Sequence, residues 1–517
     1  MPTRRAASVA NAAAILVDSA ERAPDAVAVR HGETTMSYAD VRAAADRVSA
    51  AVAELGLGTG DRVLLVAGIV PGWVSAYHGL LSAGTAVVAI NPMAAPAEIE
   101  YFLRDSGAAL ALGLGDAADR VRAAADAVAC PFRSLEPGSD FLRDIGDEPA
   151  REPCERHRDD LAVLLYTSGT TGRPKGAMLT HGNLLAAAEI FVEELELRDE
   201  DSVLVCLPLS HVFGQGCILN PSLMAGAAVT LQTRFDAVEA LELIARDGIS
   251  VFAGVPTMYN AILRSPTEAG RGLGEALRLA ISGGAPIPLE ILRRFEARFS
   301  CPILEGYGMT ESTGTATFNR LSRPRKPGRV GTALPRISIR VVDERGLEVP
   351  PGVVGEVLIT GPTVMKGYWD RPEASAEALA GGWLRTGDLG STDEDGDLAI
   401  VDRKKDLIIR GGYNVYPREV EEVIAEHPDV IEVLVVGVAD DHFGEEVGAA
   451  IVARAGSGLD AAAIRVWTEP RLSPYKRPRV IQFLDALPRT ATGKLARRGL
   501  DLGKARQSAE PERQAND

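Results

Sequence analysis

The sequence predicts an α/β protein of more than one domain, and three observations predict it. Its 517 residues exceed the roughly 250–300 at which a single hydrophobic core stops growing. Apolar runs of strand length alternate with helical patterns through most of the chain, the arrangement of parallel sheets covered by helices. Near residue 328 the alternation gives way to short strands and Gly/Pro turns, a small β-rich subdomain. After residue 406 a compact α/β unit follows.

The elements can be justified in order. The start, MPTRRAASVANAAAILVDSAERAPDAVAV, imitates a signal peptide because two Arg precede an Ala-rich run. Asp18 and Glu21 cut the apolar stretch short, and the spacing suits an amphipathic helix ended near Pro24. MSYADVRAAADRVSAAVAEL and FDAVEALELIARDG read as helices. DRVLLVAG, TAVVAIN, AALALGL, LAVLLYT, SVLVCLP and AAVTLQT read as strands, with VIEVLVVGV and EEVGAAIVAR as strands of the last unit. The end, KARQSAEPERQAND, is polar and is expected to be disordered.

A hydrophobic fraction of 46% fits a large core, and a net charge of -16 argues against nucleic acid or an anionic membrane as partner. No uncharged apolar window reaches the length of a membrane span. Cys130, Cys154, Cys206, Cys217 and Cys301 have neither metal spacing nor a disulfide framework, which predicts reduced thiols in a cytoplasmic protein. GLGTGD at 56 and GLGDAAD at 113 are incomplete dinucleotide fingerprints. DEDGDL at 393–398 has calcium-like carboxylates but a misplaced Gly, and reads as a hairpin turn.

One stretch is unlike an ordinary turn. YTSGTTGRPKG, residues 166–176, follows the apolar run LAVLL and is too long and too rich in hydroxyls to be a bare connection. Such a loop offers N–H groups and hydroxyls to phosphate oxygens, and Lys175 adds a mobile charge. G-x-x-x-x-G-K-[ST] is absent, so it is a phosphate loop of another type.

Six further stretches accompany it in fixed order: PLSHVFG (208–214), SGGAPIP (282–288), EGYGMTES (305–312), WLRTGDLG (383–390), DRKKDLIIRGGYNVYPREVE (402–421) and PRTATGKLARR (488–498). Together the seven resemble the core motifs of the adenylate-forming superfamily of acyl-CoA synthetases, luciferases and peptide-synthetase adenylation domains, over about residues 10–500. Among these the chain looks most like the medium- or long-chain fatty-acid–CoA ligases. The resemblance implies a large N-terminal domain of two parallel-type sheets plus the β-rich subdomain (1–403), a hinge (404–405), a small mobile α/β C-terminal domain (406–503) and the tail (504–517). It implies activation of a carboxylic acid by ATP to an acyl-adenylate, then transfer to the thiol of CoA, with Mg2+ as the metal.

Residue roles follow from the same resemblance. Thr167, Ser168, Gly169, Thr170, Thr171, Gly172 and Lys175 would cradle the β- and γ-phosphates. Glu311 would hold the magnesium ion, with Thr167 or its loop neighbours completing the shell, and Thr310 would donate to the α-phosphate. Tyr307 would stack on adenine beside Gly283, Gly284 and Ala285, with Gly308 and Met309 in the same nucleotide site. Asp388 would accept both ribose hydroxyls, with Arg403 as its partner. Lys494 would bridge substrate carboxylate and phosphate, where cations must meet the developing charge. Lys405 would be the hinge, and Gly411 and Gly412 would line the pantetheine tunnel. His211 would stand at the mouth of the acyl pocket.

The acid itself is read less directly. Val212, Phe213 and Gly214 stand where amino-acid users carry an Asp, and Gly306 stands where dicarboxylate users tend to place Arg. His211, Phe213, Gly283, Gly306 and Gly308 are the candidate acyl pocket, and the small residues among them leave room for a long or flat apolar body. A fatty acid is the first expectation and an aryl or cinnamate-like acid the second. An amide synthetase and a luciferase-like oxygenase share the motifs. A non-catalytic relative is disfavoured by the intact loop, Glu311 and Lys494. Monomer and homodimer remain open.

Overall fold

The computed structural model describes residues 10–136, 139, 152–167, 173–266, 277–440, 442–489, 495–497, 500 and 502. Ser168, Gly169, Thr170, Thr171, Gly172, Lys494 and the tail 504–517 therefore lie outside the described residues. The chain divides into two compact units, Met1–Arg340 with Leu358–Thr386 and Asp393–Ala399, and Val341–Val357 with Gly387–Thr392 and Ile400–Asp517. The division passes through the short strands of the β-rich stretch, Ser338–Val342, Gly355–Thr360, Leu384–Thr392 and Leu398–Arg403. It thus falls elsewhere than the expected boundary at 403/404.

The first unit holds two sheets. One has nine strands, running Thr332–Ala333, Thr317–Phe318, Ile303–Tyr307, Leu279–Ser282, Val251–Gly254, Ser202–Val205, Ala228–Leu231, Val27–His31, Thr34–Ser37. The other has six, running Phe132–Ser134, Leu110–Gly113, Arg62–Val66, Ala86–Ile90, Leu161–Thr167, Lys175–Thr180. Pairing is parallel at their centres and antiparallel at the edges, except that the edge strand Phe132–Ser134 pairs parallel with Leu110–Gly113. Central strands such as Leu64–Val66 and Val87–Val88 are apolar on both sides because both faces are buried.

Local chemistry sets the element ends. Ser37 Oγ accepts the Asp40 N–H while Asp40 accepts the Ser37 N–H, so the helix Tyr38–Glu54 starts two residues inside the stretch that reads as helical. Met36 and Ser37 finish a strand instead. The helix Ala14–Arg22 buries Ile15, Leu16 and Val17, as its spacing predicts. DEDGDL is the expected turn: Asp393 N–H donates to the Asp397 carbonyl. Asp393, Asp395 and Asp397 are gathered around Lys326 Nζ at 2.8, 2.6 and 3.1 Å, so an ammonium fills that carboxylate cluster. The second unit contains the antiparallel strands Val430–Asp440 and Gly444–Ala453, with Val480–Phe483 parallel to the latter.

Candidate active site

The hydroxyl-rich turn springs from a buried strand pair. Leu161–Thr167 and Lys175–Thr180 run antiparallel and end with Tyr166 opposite Gly176 and Thr167 opposite Lys175. A Cβ at Gly176 would lie 3.3 Å from the Tyr166 ring, which is why the strand end needs a small residue. Thr167 donates its hydroxyl to Glu311 Oε1 at 3.3 Å. Glu311 is buried on the 3-10 turn Thr310–Ser312, which the Ser312 hydroxyl secures by accepting the Met309 N–H at 3.1 Å. A second hydroxyl, that of Tyr368, donates to the same Glu311 oxygen at 2.8 Å. Lys175 Nζ lies 5.2 Å from the centre of the Tyr368 ring. Burial first, and the Glu311 charge second, push the Tyr368 phenol pKa up, so it stays a neutral donor. A buried carboxylate beside hydroxyls is a set of hard oxygen donors of the kind Mg2+ takes.

The parallel strands of the nine-stranded sheet bring the remaining first-unit candidates to one edge. Gly283–Ala285 follows Leu279–Ser282, and Tyr307 ends Ile303–Tyr307; in open α/β sheets this carboxyl edge is where ligands bind. Gly284 has φ +78°, a left-handed conformation that favours glycine. Phe213 opens a π-helix, Phe213–Leu219, a rare form frequent at functional sites. Its ring packs on Gly283, where a Cβ would lie 3.1 Å away. His211 Nδ1 accepts the Phe213 N–H at 3.2 Å, a local role that by itself accounts for a half-buried histidine.

Two parts of the acyl-pocket reading need correction. The space that Gly306 leaves is filled by the buried Phe318 ring, 2.7 Å from a would-be Cβ. The space that Gly308 leaves is filled by the Gly314 carbonyl, at 2.2 Å. Neither glycine is small in order to admit an acyl body; each is small so that neighbouring chain can approach. Gly214 is similar, since a Cβ there would lie 2.4 Å from the Pro208 carbonyl oxygen.

In the second unit Arg403 Nε lies 3.1 Å from Asp388 Oδ1, so the two expected ribose partners do meet. Asp388 is buried, whereas the Arg403 side chain is 54% exposed. Lys404 N–H donates to the Gly387 carbonyl at 2.9 Å and Asp406 N–H to the Arg403 carbonyl at 2.9 Å, which makes 403–406 a tight turn with Lys405 exposed on it. Gly411 and Gly412 form the two-residue turn between Ile408–Arg410 and Tyr413–Val415, with φ +56° and +83°. A turn with two positive φ angles requires such residues whatever else passes beside it.

Comparison with known proteins converges on one family. A family model described as AMP-binding enzyme matches residues 16–369, and its C-terminal domain model matches 419–494. The chain belongs to the AMP-binding enzyme family. It is 37% identical over 480 residues to a feruloyl-CoA synthase of Amycolatopsis, covering 93% of this chain and 96% of that one. It is 35% identical over 522 residues to a long-chain-fatty-acid–CoA ligase of Bacillus subtilis, covering 94% and 93%. Among solved structures, o-succinylbenzoate CoA synthetase (MenE) of Bacillus subtilis in complex with ATP and magnesium ion matches with TM-score 0.83 and 30% identity, over 94% of this chain and 98% of that one.

Within this AMP-binding enzyme, sequence reasoning passed over Tyr368 and Asp105. Tyr368 lies in MKGYWD, a stretch with no Gly-rich loop and no charge pattern, and Asp105 closes an unremarkable helix, Pro96–Ser106. Their proximity to the strand pair Leu161–Thr167 and Lys175–Thr180 exists only in three dimensions. Among the described residues, no helix is long and apolar enough to cross a membrane.

Proposed function

We propose that this AMP-forming acid–CoA ligase activates a carboxylic acid with an apolar, flat body, an aryl or cinnamate-like acid in the first place, and passes the acyl group from its adenylate to CoA. The observation that carries the adenylation reading is the buried Glu311 at the base of the phosphate hairpin, which accepts the Thr167 and Tyr368 hydroxyls while Lys175 lies against the Tyr368 ring. Glu311 and Thr167 would hold Mg2+, which when bound would neutralise charge on the phosphate oxygens during transfer. Lys175 and the turn 168–172 would hold the β- and γ-phosphates, Thr310 and Lys494 the α-phosphate region, and Asp388 with Arg403 the ribose. The substrate carboxylate attacks the α-phosphorus, the bond to the β-phosphate oxygen breaks, and pyrophosphate leaves. The CoA thiol then attacks the acyl carbonyl, and AMP leaves. Gly411 and Gly412 would border the path of the thiol, and Lys404–Lys405 would be the hinge between the two half-reactions.

The flat acid is placed first on the 37% identity to a feruloyl-CoA synthase, and because the room that Gly283, Gly306 and Gly308 were expected to leave for a long chain is filled by Phe213, Phe318 and Gly314. A fatty acid is the second reading, favoured by the 35% identity to a long-chain-fatty-acid–CoA ligase. Acid-dependent exchange of pyrophosphate into ATP, followed by mass spectrometry of products from cinnamate-like, fatty and dicarboxylic acids with and without CoA, tests both. Absence of exchange across all of these acids would end the adenylation reading; a strong preference for saturated chains would reverse the order of the two acids. An amide in place of a thioester would change the acceptor.

A further inference from the structure

Tyr368 stands at the meeting point of groups that the adenylation reading employs, yet that reading gives Tyr368 no task. Its hydroxyl and that of Thr167 both donate to Glu311 Oε1, at 2.8 and 3.3 Å. Among the described residues no donor reaches Oε2. A carboxylate held at one oxygen by two donors has a fixed plane, and its second oxygen then points in a fixed direction. The Tyr368 ring meanwhile faces the Lys175 ammonium at 5.2 Å, a cation–π contact.

The backbone staples Tyr368 to both partners. Met365 N–H donates to the Glu311 carbonyl at 2.8 Å. Met178 N–H donates to the Gly367 carbonyl, Lys366 N–H to the Met178 carbonyl, and Trp369 N–H to the Gly176 carbonyl, all at 2.8–2.9 Å. From behind, the largely buried Asp105 ties the neighbours of the same three residues together. It accepts from Tyr166, next to Thr167, at 2.9 Å, and from Arg371 at 2.5 Å. Its carbonyl accepts the Trp369 indole N–H at 3.1 Å, and Tyr101, which also reaches Asp105 at 3.3 Å, donates to the Pro174 carbonyl beside Lys175 at 2.7 Å.

We propose that Tyr368 is a positioning residue of the adenylation step, its hydroxyl aiming the Glu311 carboxylate at the metal–nucleotide complex and its ring parking Lys175 until phosphate binds. This rests on the adenylation reading, in which Glu311 and Lys175 are the groups being positioned. Second partners of metal-binding carboxylates typically change metal affinity by 10–100-fold when removed. The hydroxyl is needed only while pyrophosphate is being displaced, so thioester formation from an acyl-adenylate does not depend on it.

Tyr368→Phe removes the hydroxyl and keeps the ring, and Tyr368→Leu removes both. Binding of Mn2+ with ATP, followed by the electron paramagnetic resonance of free Mn2+, is expected to weaken about tenfold in Tyr368→Phe. The Mg2+ concentration giving half-maximal pyrophosphate exchange should rise by a similar factor. Thioester formation from pre-made acyl-adenylate and the melting temperature should stay at wild-type values. Tyr368→Leu should in addition raise KM for ATP. Wild-type Mn2+–ATP affinity in Tyr368→Phe overturns the proposal, and so does an equal loss of both half-reactions with a lowered melting temperature. Should the wild-type enzyme bind Mn2+–ATP but exchange no pyrophosphate with any acid, the adenylation reading fails while the binding comparison still decides the role of Tyr368.

Discussion

The candidate residues of the first unit and those of the second are held in different ways. Glu311 is buried, takes two hydroxyls on one oxygen, and belongs to segments tied to the six-stranded sheet. Among the described candidates of the second unit, Arg403, Lys405, Gly411 and Gly412 are exposed and sit at or on turns, and Asp388 is buried. A buried carboxylate that accepts two hydroxyls is oriented before any ligand arrives, which is what holding a cation beside a phosphate would require. Residues on exposed turns can change backbone dihedrals at little cost in packing, which is what a hinge requires. Under the proposed function, the first unit would hold the metal and phosphates and the second would change position between the two half-reactions.

The largest effect expected from breaking this contrast is at Lys494. Lys494→Ala should lose most adenylation, as one missing donor to developing charge costs about 2.7–4 kcal/mol, roughly 10²–10³-fold in rate. Thioester formation from a pre-made acyl-adenylate should persist. Single-turnover assays of the two half-reactions check this, and equal losses in both would assign the residue to folding instead.

Lys405→Pro comes next and addresses the turn directly. Proline fixes φ near −65° and restricts Lys404, whose N–H is bonded to the Gly387 carbonyl. It should hold the turn in one arrangement, keep substantial adenylation and lose thioester formation. Wild-type rates in both half-reactions would remove the hinge from 405.

The contrast also explains what could be read from the chain alone. Helices and strands were legible because burial imposes periodicity: LAVLLYT and TAVVAIN are strands because both faces of the sheet are covered. Lys175 and the hydroxyl-rich loop stood out by composition, whereas Glu311 and Thr167 were named only through the family resemblance; the structure brings Thr167 and Glu311 within 3.3 Å. Gly306 and Gly308 were misread as room for substrate because a glycine in sequence does not say what fills the space it leaves; Phe318 and Gly314 do. Tyr368 was illegible since its partners lie 57 residues away at Glu311 and on the hairpin.

A smaller and more global difference concerns acid. In the first unit His78 is fully buried, and burial lowers its pKa from 6.5 to about 3; burial and then Arg156 lower that of His181 to about 4. Below pH 6.5 the unfolded chain binds protons that the folded unit refuses, so stability falls as pH falls, by up to about 1.4 kcal/mol per pH unit for each group. In the second unit burial raises the pKa of Glu421, despite Arg497, and a raised carboxyl pKa makes its contribution greatest at low pH and lost as pH rises. Hydrogen exchange between pH 7 and 4.5 should therefore show the first unit opening more on acidification than the second. Equal responses would mean that the two histidines find partners on charging.

The smallest effect separates conformation from function at the Gly411–Gly412 turn. A Cβ at Gly412 would meet nothing within 4 Å, so Gly412→Ala adds no clash, and its cost comes from φ +83° alone. An L-residue there is expected to lose about 1–2 kcal/mol of stability in the second unit. Gly411 differs, because a Cβ there would also lie 3.0 Å from the Phe443 ring, so Gly411→Ala should cost more. If glycine is present only for the turn, both variants should be less stable in urea titrations while thioester formation stays unchanged under folding conditions. If the CoA arm passes this turn, Gly412→Ala should slow thioester formation beyond its stability cost and leave pyrophosphate exchange intact. The second result is the expected one, because the turn is exposed and, among the described residues, nothing lies within 4 Å of a Cβ at Gly412.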